Sequence, residues 1–172
     1  MFYTNLKANL EALLFVNGDP ISLKRLAEIL EVDQENVKLL IAQLIQDMQS
    51  DERGLTIIEV AGGYQICTKP HLAAFLDKLV QIKENKLSVP ALETLSIIAF
   101  KQPITKQEIE AIRGVRVDKV LANLLERNLI KELGRKEAIG RPIIYGTTDT
   151  FLKCFGLNSL EDLPELPELE EK

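Results

Sequence analysis

The residues able to do chemistry in this chain are few and scattered. His71 is the only histidine, and Cys67 and Cys154 are the only cysteines. One chain therefore cannot assemble a two-histidine metal site, a CxxC pair or a Ser/His/Asp nucleophilic set. The run "RKEAIGRP" lacks the glycine spacing and the following Lys-Ser/Thr of a phosphate-binding loop. Asp and Glu number 26 against 21 Lys and Arg, but they are spaced as the solvated sides of amphipathic helices. No catalytic centre, cofactor, metal or small-molecule substrate is implied. Phosphate chemistry remains. Arg113, Arg116, Lys119, Arg127, Arg135, Lys136 and Arg141 fall in one stretch, with Asp118, Glu126, Glu132 and Glu137 among them.

The element that would position those cations is "QPITKQEIEAIRGVRVDKVLANLLERNLI", Gln102 to Ile130. Thr105 to Glu108 spells T-x-x-E, a capping box that starts a helix by satisfying orphaned backbone N–H groups. Gly114 suits the left-handed turn between two helices, and Val117 to Asn128 predicts the helix that a DNA reader would lay in the major groove. "IKELG", a loop from Arg135 to Gly140 and "RPIIYGTT" supply a wing.

The first half of the chain has the same order of elements. Leu6, Leu10, Leu13 and Leu14 recur at helical spacing until "NGDP"; a second helix follows Ser22, and a third follows Asp33 with Val37, Leu40, Ile41, Leu44, Ile45 and Met48 on one face. "LTIIEVAGGYQICT" predicts a hairpin turning at Gly62-Gly63, and Pro70 begins a closing helix with Leu72, Phe75, Leu76 and Leu79. Pro20-Ile21-Ser22 matches Pro103-Ile104-Thr105, Leu26 matches Ile109, Val37 matches Val120 and Ile41 matches Leu124, before the register slips so that Thr68, Leu72 and Phe75 meet Thr148, Leu152 and Phe155. The fold class is α+β, mostly α, with two tandem winged-helix domains at 1–86 and 87–158 and an acidic tail at 159–172.

Charge divides these segments. Residues 1–89 carry net -3, residues 90–156 net +3 and the tail net -5. The polar side of the first unit's third helix offers Glu35, Lys38, Gln43, Gln46 and Asp47, which would repel phosphate more than attract it. The second unit's mixture reads as a solvated surface with at most weak DNA contact. The first helix of each unit, by contrast, is apolar on two sides, and one small core uses only one of them. In the first unit Ala8, Ala12 and Phe15 lie opposite the leucines, with Phe2 and Tyr3 just ahead and Val16 beside them. In the second, Leu92, Leu95 and Ala99 share a face while Ile97 and Phe100 turn away. Packing of one unit on the other would use one surplus face; a partner would use the rest. The apolar runs fall short of the roughly 20 residues of a membrane span, and the N-terminus lacks the marks of a signal peptide, so a cytoplasmic protein is expected. The tail combines Leu157, Leu160 and Leu163, fit for a helical turn, with an acidic end expected to be disordered from about Pro164.

"LEALLFVNGDPIS", "GGYQICTKP", "ALETLSIIAFKQPITKQEIEAIRGV" and "GRPIIYGTTDTFLKCFGLNSLEDLPEL" together resemble the bacterial segregation and condensation protein B family over essentially the full length. The resemblance implies a non-catalytic subunit of bacterial condensin, acting in chromosome condensation and segregation. Its expected partners are a kleisin subunit and, through it, the structural maintenance of chromosomes ATPase, with nucleoid association following from them. It also implies a homodimer formed through the first domain, with Phe2, Tyr3, Phe15 and Val16 as candidates, and a kleisin contact on the second. Ile97, Phe100, Arg141, Pro142, Ile143 and Tyr145 are candidates for that contact, although Ile143 and Tyr145 share a strand face that also suits the core. No sequence-specific nucleic acid is expected. The alternative is a tandem winged-helix transcription regulator contacting DNA through Arg116, Lys119 and the Arg135 to Arg141 wing.

Overall fold

In the computed structural model, which describes residues 5–79 and 86–165, the "NGDP" stop falls where the spacing places it. Helix α1 (Leu6–Asn17) closes on Gly18, whose φ of 69° is the left-handed geometry glycine adopts without a Cβ penalty. Helix α2 (Leu23–Leu30) starts on Ser22, whose hydroxyl accepts from the Arg25 N–H, and α3 (Gln34–Asp47) starts on Asp33, whose carboxylate accepts from the Asn36 N–H at 2.8 Å. The apolar faces so aligned converge: Leu10, Leu14, Leu26, Leu30, Val37, Ile41 and Leu44 form one buried cluster with Ile57. Each such side chain contributes about 1.5–3 kcal/mol by leaving water.

Strands β1 (Leu55–Val60) and β2 (Gly63–Thr68) pair antiparallel with Val60 opposite Gly63, so the turn is Ala61-Gly62, one residue earlier than expected. Both turn residues have positive φ, 50° and 71°, as a two-residue hairpin of this hand demands. Gly63 serves a different purpose. A Cβ there would lie 2.8 Å from the carbonyl carbon and oxygen of Ile21, and it is this closeness that lets Ile21 and Tyr64 exchange backbone hydrogen bonds of 3.0 and 2.9 Å. The closing helix is shorter than its periodicity predicts: a 3-10 turn (Pro70–Leu72) leads into α4 (Ala73–Leu76), and Phe75 and Leu79 stay exposed.

The chain divides into two compact units, Met1–Asn85 and Lys86–Lys172. In the second, α5 (Val89–Lys101) has Pro90 in its first turn, and β3 (Ile104–Thr105) leads into α6 (Lys106–Arg113). The Thr105–Glu108 capping box forms in both directions, and Gly114 takes φ 69°. Helix α7 (Asp118–Glu126) follows, then β4 (Ile130–Arg135), β5 (Ile143–Thr147) and α8 (Asp149–Phe155). The helix expected to run from Val117 to Asn128 is shorter because Asn128, at φ 54°, is already left-handed. The sheet order is β3-β5-β4, with Ile104 opposite Tyr145. Leu95, Ile98, Ile109, Leu121, Leu124, Ile130 and Phe151 fill its core. The packed chain continues past residue 158: Leu157 and Leu163 pack on that core around a capped 3-10 turn (Leu160–Asp162). Both units are winged helices, and the architecture is α+β with helix predominant. Among the described residues no helix is long and apolar enough to cross a membrane.

The Ile21–Gly63 approach gives the first test. Gly63→Ala forces a methyl group into the Ile21 carbonyl and is expected to destabilise the protein by about 1–3 kcal/mol. Urea denaturation followed by circular dichroism measures this; an unchanged midpoint would mean the wing is not held against Ile21.

Candidate functional site

Of the cations that could have met phosphate, Arg113, Arg135 and Lys136 are engaged by the protein itself, while Arg116, Lys119 and Arg141 are exposed. Arg113 reaches back from the end of α6 to the start of α5, donating to the Pro90 carbonyl at 2.7 Å and the buried Thr94 hydroxyl at 2.5 Å, and pairing with Glu93 at 2.8 Å. Lys106 pairs with Asp118 and with Glu110, whose carboxylate also accepts from the Val117 N–H at 3.1 Å. Lys136 pairs with Glu108 at 2.6 Å. The same Glu108 carboxylate accepts from the Thr105 N–H at 2.8 Å and the Thr105 hydroxyl at 2.7 Å. The Lys136 ammonium and these two donors hold the Glu108 carboxyl down at about 2. The Asp118 carboxyl is lowered by Lys106, and the Lys106 ammonium is raised by Asp118. The start of α7, where a groove reader meets bases, thus carries carboxylates committed to internal pairs. In the first unit Lys38 pairs with Glu35 and Lys7 with Asp47.

The apolar surfaces are more open. Phe2 and Tyr3 lie outside the described residues. Phe15 is 70% and Val16 82% exposed on α1, continuing the exposed side formed by Ala8 and Ala12. Phe15 also borders a groove of about 230 Å³ with Leu14, Gly18, Leu55, Ile66, Cys67 and Thr68. In the second unit Ile97 and Phe100 are half-buried, and Ile97 packs against the core rather than turning away from it. Leu92 does not share the buried face of Leu95 and Ala99; it is 41% exposed, and Val89 is 68% exposed. Val89, Leu92 and Phe100 therefore form an outward stripe on α5 with Ile97 at its margin. The spacing 89, 92, 96, 100 held the signal, but Ser96 interrupts the apolar reading.

The wing candidates separate. Tyr145 is only 7% exposed and belongs to the core cluster, so the ring fills the unit's interior and is not available as a surface anchor. Ile143 is half-buried against the same core, Pro142 is half-buried, and Arg141 is exposed with φ 41°. His71 is exposed on the 3-10 turn. Burial pushes the Cys67 thiol up, away from the reactive thiolate. Among the described residues no three His, Cys, Asp or Glu side chains gather as metal ligands.

A family model described as "Segregation and condensation complex subunit ScpB" matches residues 8–166. The segregation and condensation protein B of Symbiobacterium thermophilum is 51% identical over 164 residues, covering 95% of this chain and 75% of that protein. Its counterpart from Moorella thermoacetica is 51% identical over 168 residues, covering 98% and 86%. A crystal structure of a dimer of the ScpB N-terminal domain complexed with a ScpA peptide is 43% identical, covers 43% of this chain and 93% of that chain, and superposes with a TM-score of 0.42.

The Glu108 node sets a pH dependence. A carboxyl lowered from 4.5 to about 2 on folding contributes stability that is complete above pH 4.5 and is lost as pH falls through about 2. Because the side chain is 44% exposed, the contribution is screened and amounts to about 0.5–1 kcal/mol. Glu108→Gln should therefore lower the urea midpoint at neutral pH and converge with the parent protein at the acid end. Parallel curves across the whole range would show that the charge at Glu108 is not what the fold uses.

Proposed function

The chain belongs to the segregation and condensation protein B family, and we propose that it serves as the non-catalytic subunit of bacterial condensin that joins itself and a kleisin by its two first helices. As a segregation and condensation complex subunit it acts in chromosome segregation and condensation. In the proposed arrangement a homodimer forms through the first unit, and the second unit holds a segment of the kleisin that bridges the heads of the structural maintenance of chromosomes ATPase. ATP hydrolysis belongs to that partner, and the protein is cytoplasmic and reaches the nucleoid through its complex.

One observation carries this reading: each first helix has an outward apolar stripe that its own core leaves uncovered, Phe15 and Val16 on α1, and Val89 and Leu92 with the half-buried Phe100 on α5. Burying apolar area is the main favourable term in protein association, and large outward side chains supply the anchors. The wing root is the weaker part of the kleisin surface, because Ile143 is already engaged by the core and only Pro142 and Arg141 add to the α5 stripe. The regulator reading has Arg116 and Lys119 exposed at the start of α7, but beside carboxylates in the Lys106–Asp118 and Glu110–Val117 contacts.

Two experiments test the two halves of the proposal. Phe15→Asp places a charge in a contact that must be dry, and analytical ultracentrifugation of the full chain should show the dimer shifting to monomer at micromolar concentration. A variant that sediments like the parent protein removes α1 from the interface. For the second unit, Leu92→Asp and Phe100→Asp should weaken kleisin capture at least tenfold, about 1.4 kcal/mol, with little change in melting temperature. Tyr145→Ala should instead cost about 3–5 kcal/mol of stability, as loss of a buried ring does. Full kleisin affinity in both α5 variants would sink this placement.

A further inference from the structure

The wing of the second unit ends in an unusual tip. Ile139 is fully exposed at its apex, between Lys136-Glu137 and Gly140-Arg141. The loop beneath it is closed by backbone hydrogen bonds from Lys136 N–H to the Pro142 carbonyl, Ala138 N–H to the Lys136 carbonyl and Arg141 N–H to the Ala138 carbonyl, each 2.9 Å. The Arg135 guanidinium donates to the Arg141 carbonyl at 3.0 Å, and Lys136 pins the loop to Glu108 at the start of α6. A single exposed isoleucine is ordinary on a protein surface. Here it crowns a braced loop whose Arg141 side chain is exposed.

The ion pairs also show what shares a face with this tip. Glu108 meets Lys136 of the wing, while Lys106, two residues away, meets Asp118 of α7. The wing, the start of α6 and the start of α7 are therefore neighbours. Asp118 pairs with Lys106 and Glu110 accepts from the Val117 N–H, which puts two carboxylates at the α7 end beside the exposed Arg116 and Lys119. On the wing Lys136 is paired with Glu108 and Arg135 donates to the Arg141 carbonyl, while the Arg141 side chain is exposed. Over residues 131–141 Lys131, Arg135, Lys136 and Arg141 outnumber Glu132 and Glu137, within a second unit that is net positive.

We propose that this wing is a sequence-independent contact for duplex DNA, with Ile139 seated in the minor groove and Arg135 and Arg141 against the flanking phosphates. An apolar wedge between basic residues is the chemistry by which side chains enter a minor groove without reading its sequence, and phosphate neutralisation supplies the attraction. The inference stands apart from the kleisin surface on α5 and does not rest on it.

The test uses the full chain, its variants and a fluorescently labelled random-sequence duplex, read by anisotropy from about 50 to 200 mM salt. The parent protein should bind with a log–log salt slope of about -2, for two phosphate contacts, and Arg141→Ala should reduce that slope by about 1. Ile139→Asp should remove the signal with no change in melting temperature and with kleisin capture intact. The proposal is overturned if the duplex does not bind at the lowest salt, or if it binds equally well to Ile139→Asp and Arg141→Ala. It is also overturned if Ile139→Asp loses kleisin capture, which would make the tip a protein contact.

Discussion

A winged-helix unit of this size encloses one core, and a helix apolar on two opposite sides can bury only one of them in it. That constraint organises both halves of the chain. Helix α1 turns Leu10 and Leu14 inward and leaves Phe15 and Val16 in solvent; α5 turns Leu95, Ile98 and Ala99 inward and leaves Val89 and Leu92 out. The helix-turn-helix faces show the opposite condition. Several of their charges pair internally, and one node, Glu108 with Thr105 and Lys136, uses both carboxylate oxygens on internal donors. The exposed apolar area thus lies on the first helices, where the proposed assembly contacts are placed.

Rigidity comes from one joint made twice. The residue entering the second helix pairs with the second wing strand in each unit, Ile21 with Tyr64 and Ile104 with Tyr145. In both, a glycine beside the tyrosine leaves room for a close neighbour, the Ile21 backbone in the first unit and the Gln102 and Leu133 side chains in the second. A Cβ at Gly63 would strike the Ile21 backbone, and one at Gly146 would lie 2.8 Å from the Gln102 Oε1 and 2.7 Å from the Leu133 Cδ1. Gln102 in turn accepts from the Thr147 N–H at 2.7 Å and donates to the Ala99 carbonyl at 3.1 Å, fastening the end of α5 to β5. The outward stripe of α5 is consequently presented on a helix held at its start by Arg113 and at its end by Gln102. Preorganisation of this kind lowers the ordering cost of association.

Features governed by neighbouring residues were legible in the sequence, and features governed by distant ones were not. Ser22, Asp33 and the Thr105–Glu108 box cap the helices that they announce, because capping is decided within four residues. The internal repeat was legible too, but the sequence match put the register slip after the third helix. Burial puts it before: Val37, Ile41 and Leu44 correspond to Val117, Leu121 and Leu124, whereas Val120 is half-buried. Helix α7 has lost the first turn that α3 possesses, and an apolar residue at every third or fourth position looks the same in either register. The turn at Ala61-Gly62 was hidden by a second glycine whose reason lies 42 residues away, at Ile21. Tyr145 and Leu92 exchange roles for a similar reason: strand and helix periods specify which residues share a face, and only the neighbouring elements decide which face is covered.

The fold is one that DNA readers share, and a fold does not by itself fix a function. In a groove reader the start of the recognition helix is left free for bases. Here Asp118 and Glu110 occupy that end, and their partners Lys106 and the Val117 N–H are the groups that would otherwise greet a phosphate. Reversing the arrangement would require removing carboxylates that also brace α6 against α7. Opening that end to phosphate is therefore coupled to the stability of the helix pair itself. The same network reaches the start of α5 through Arg113 and the wing through Lys136, so the surfaces proposed for partner contact are braced by the helix pair.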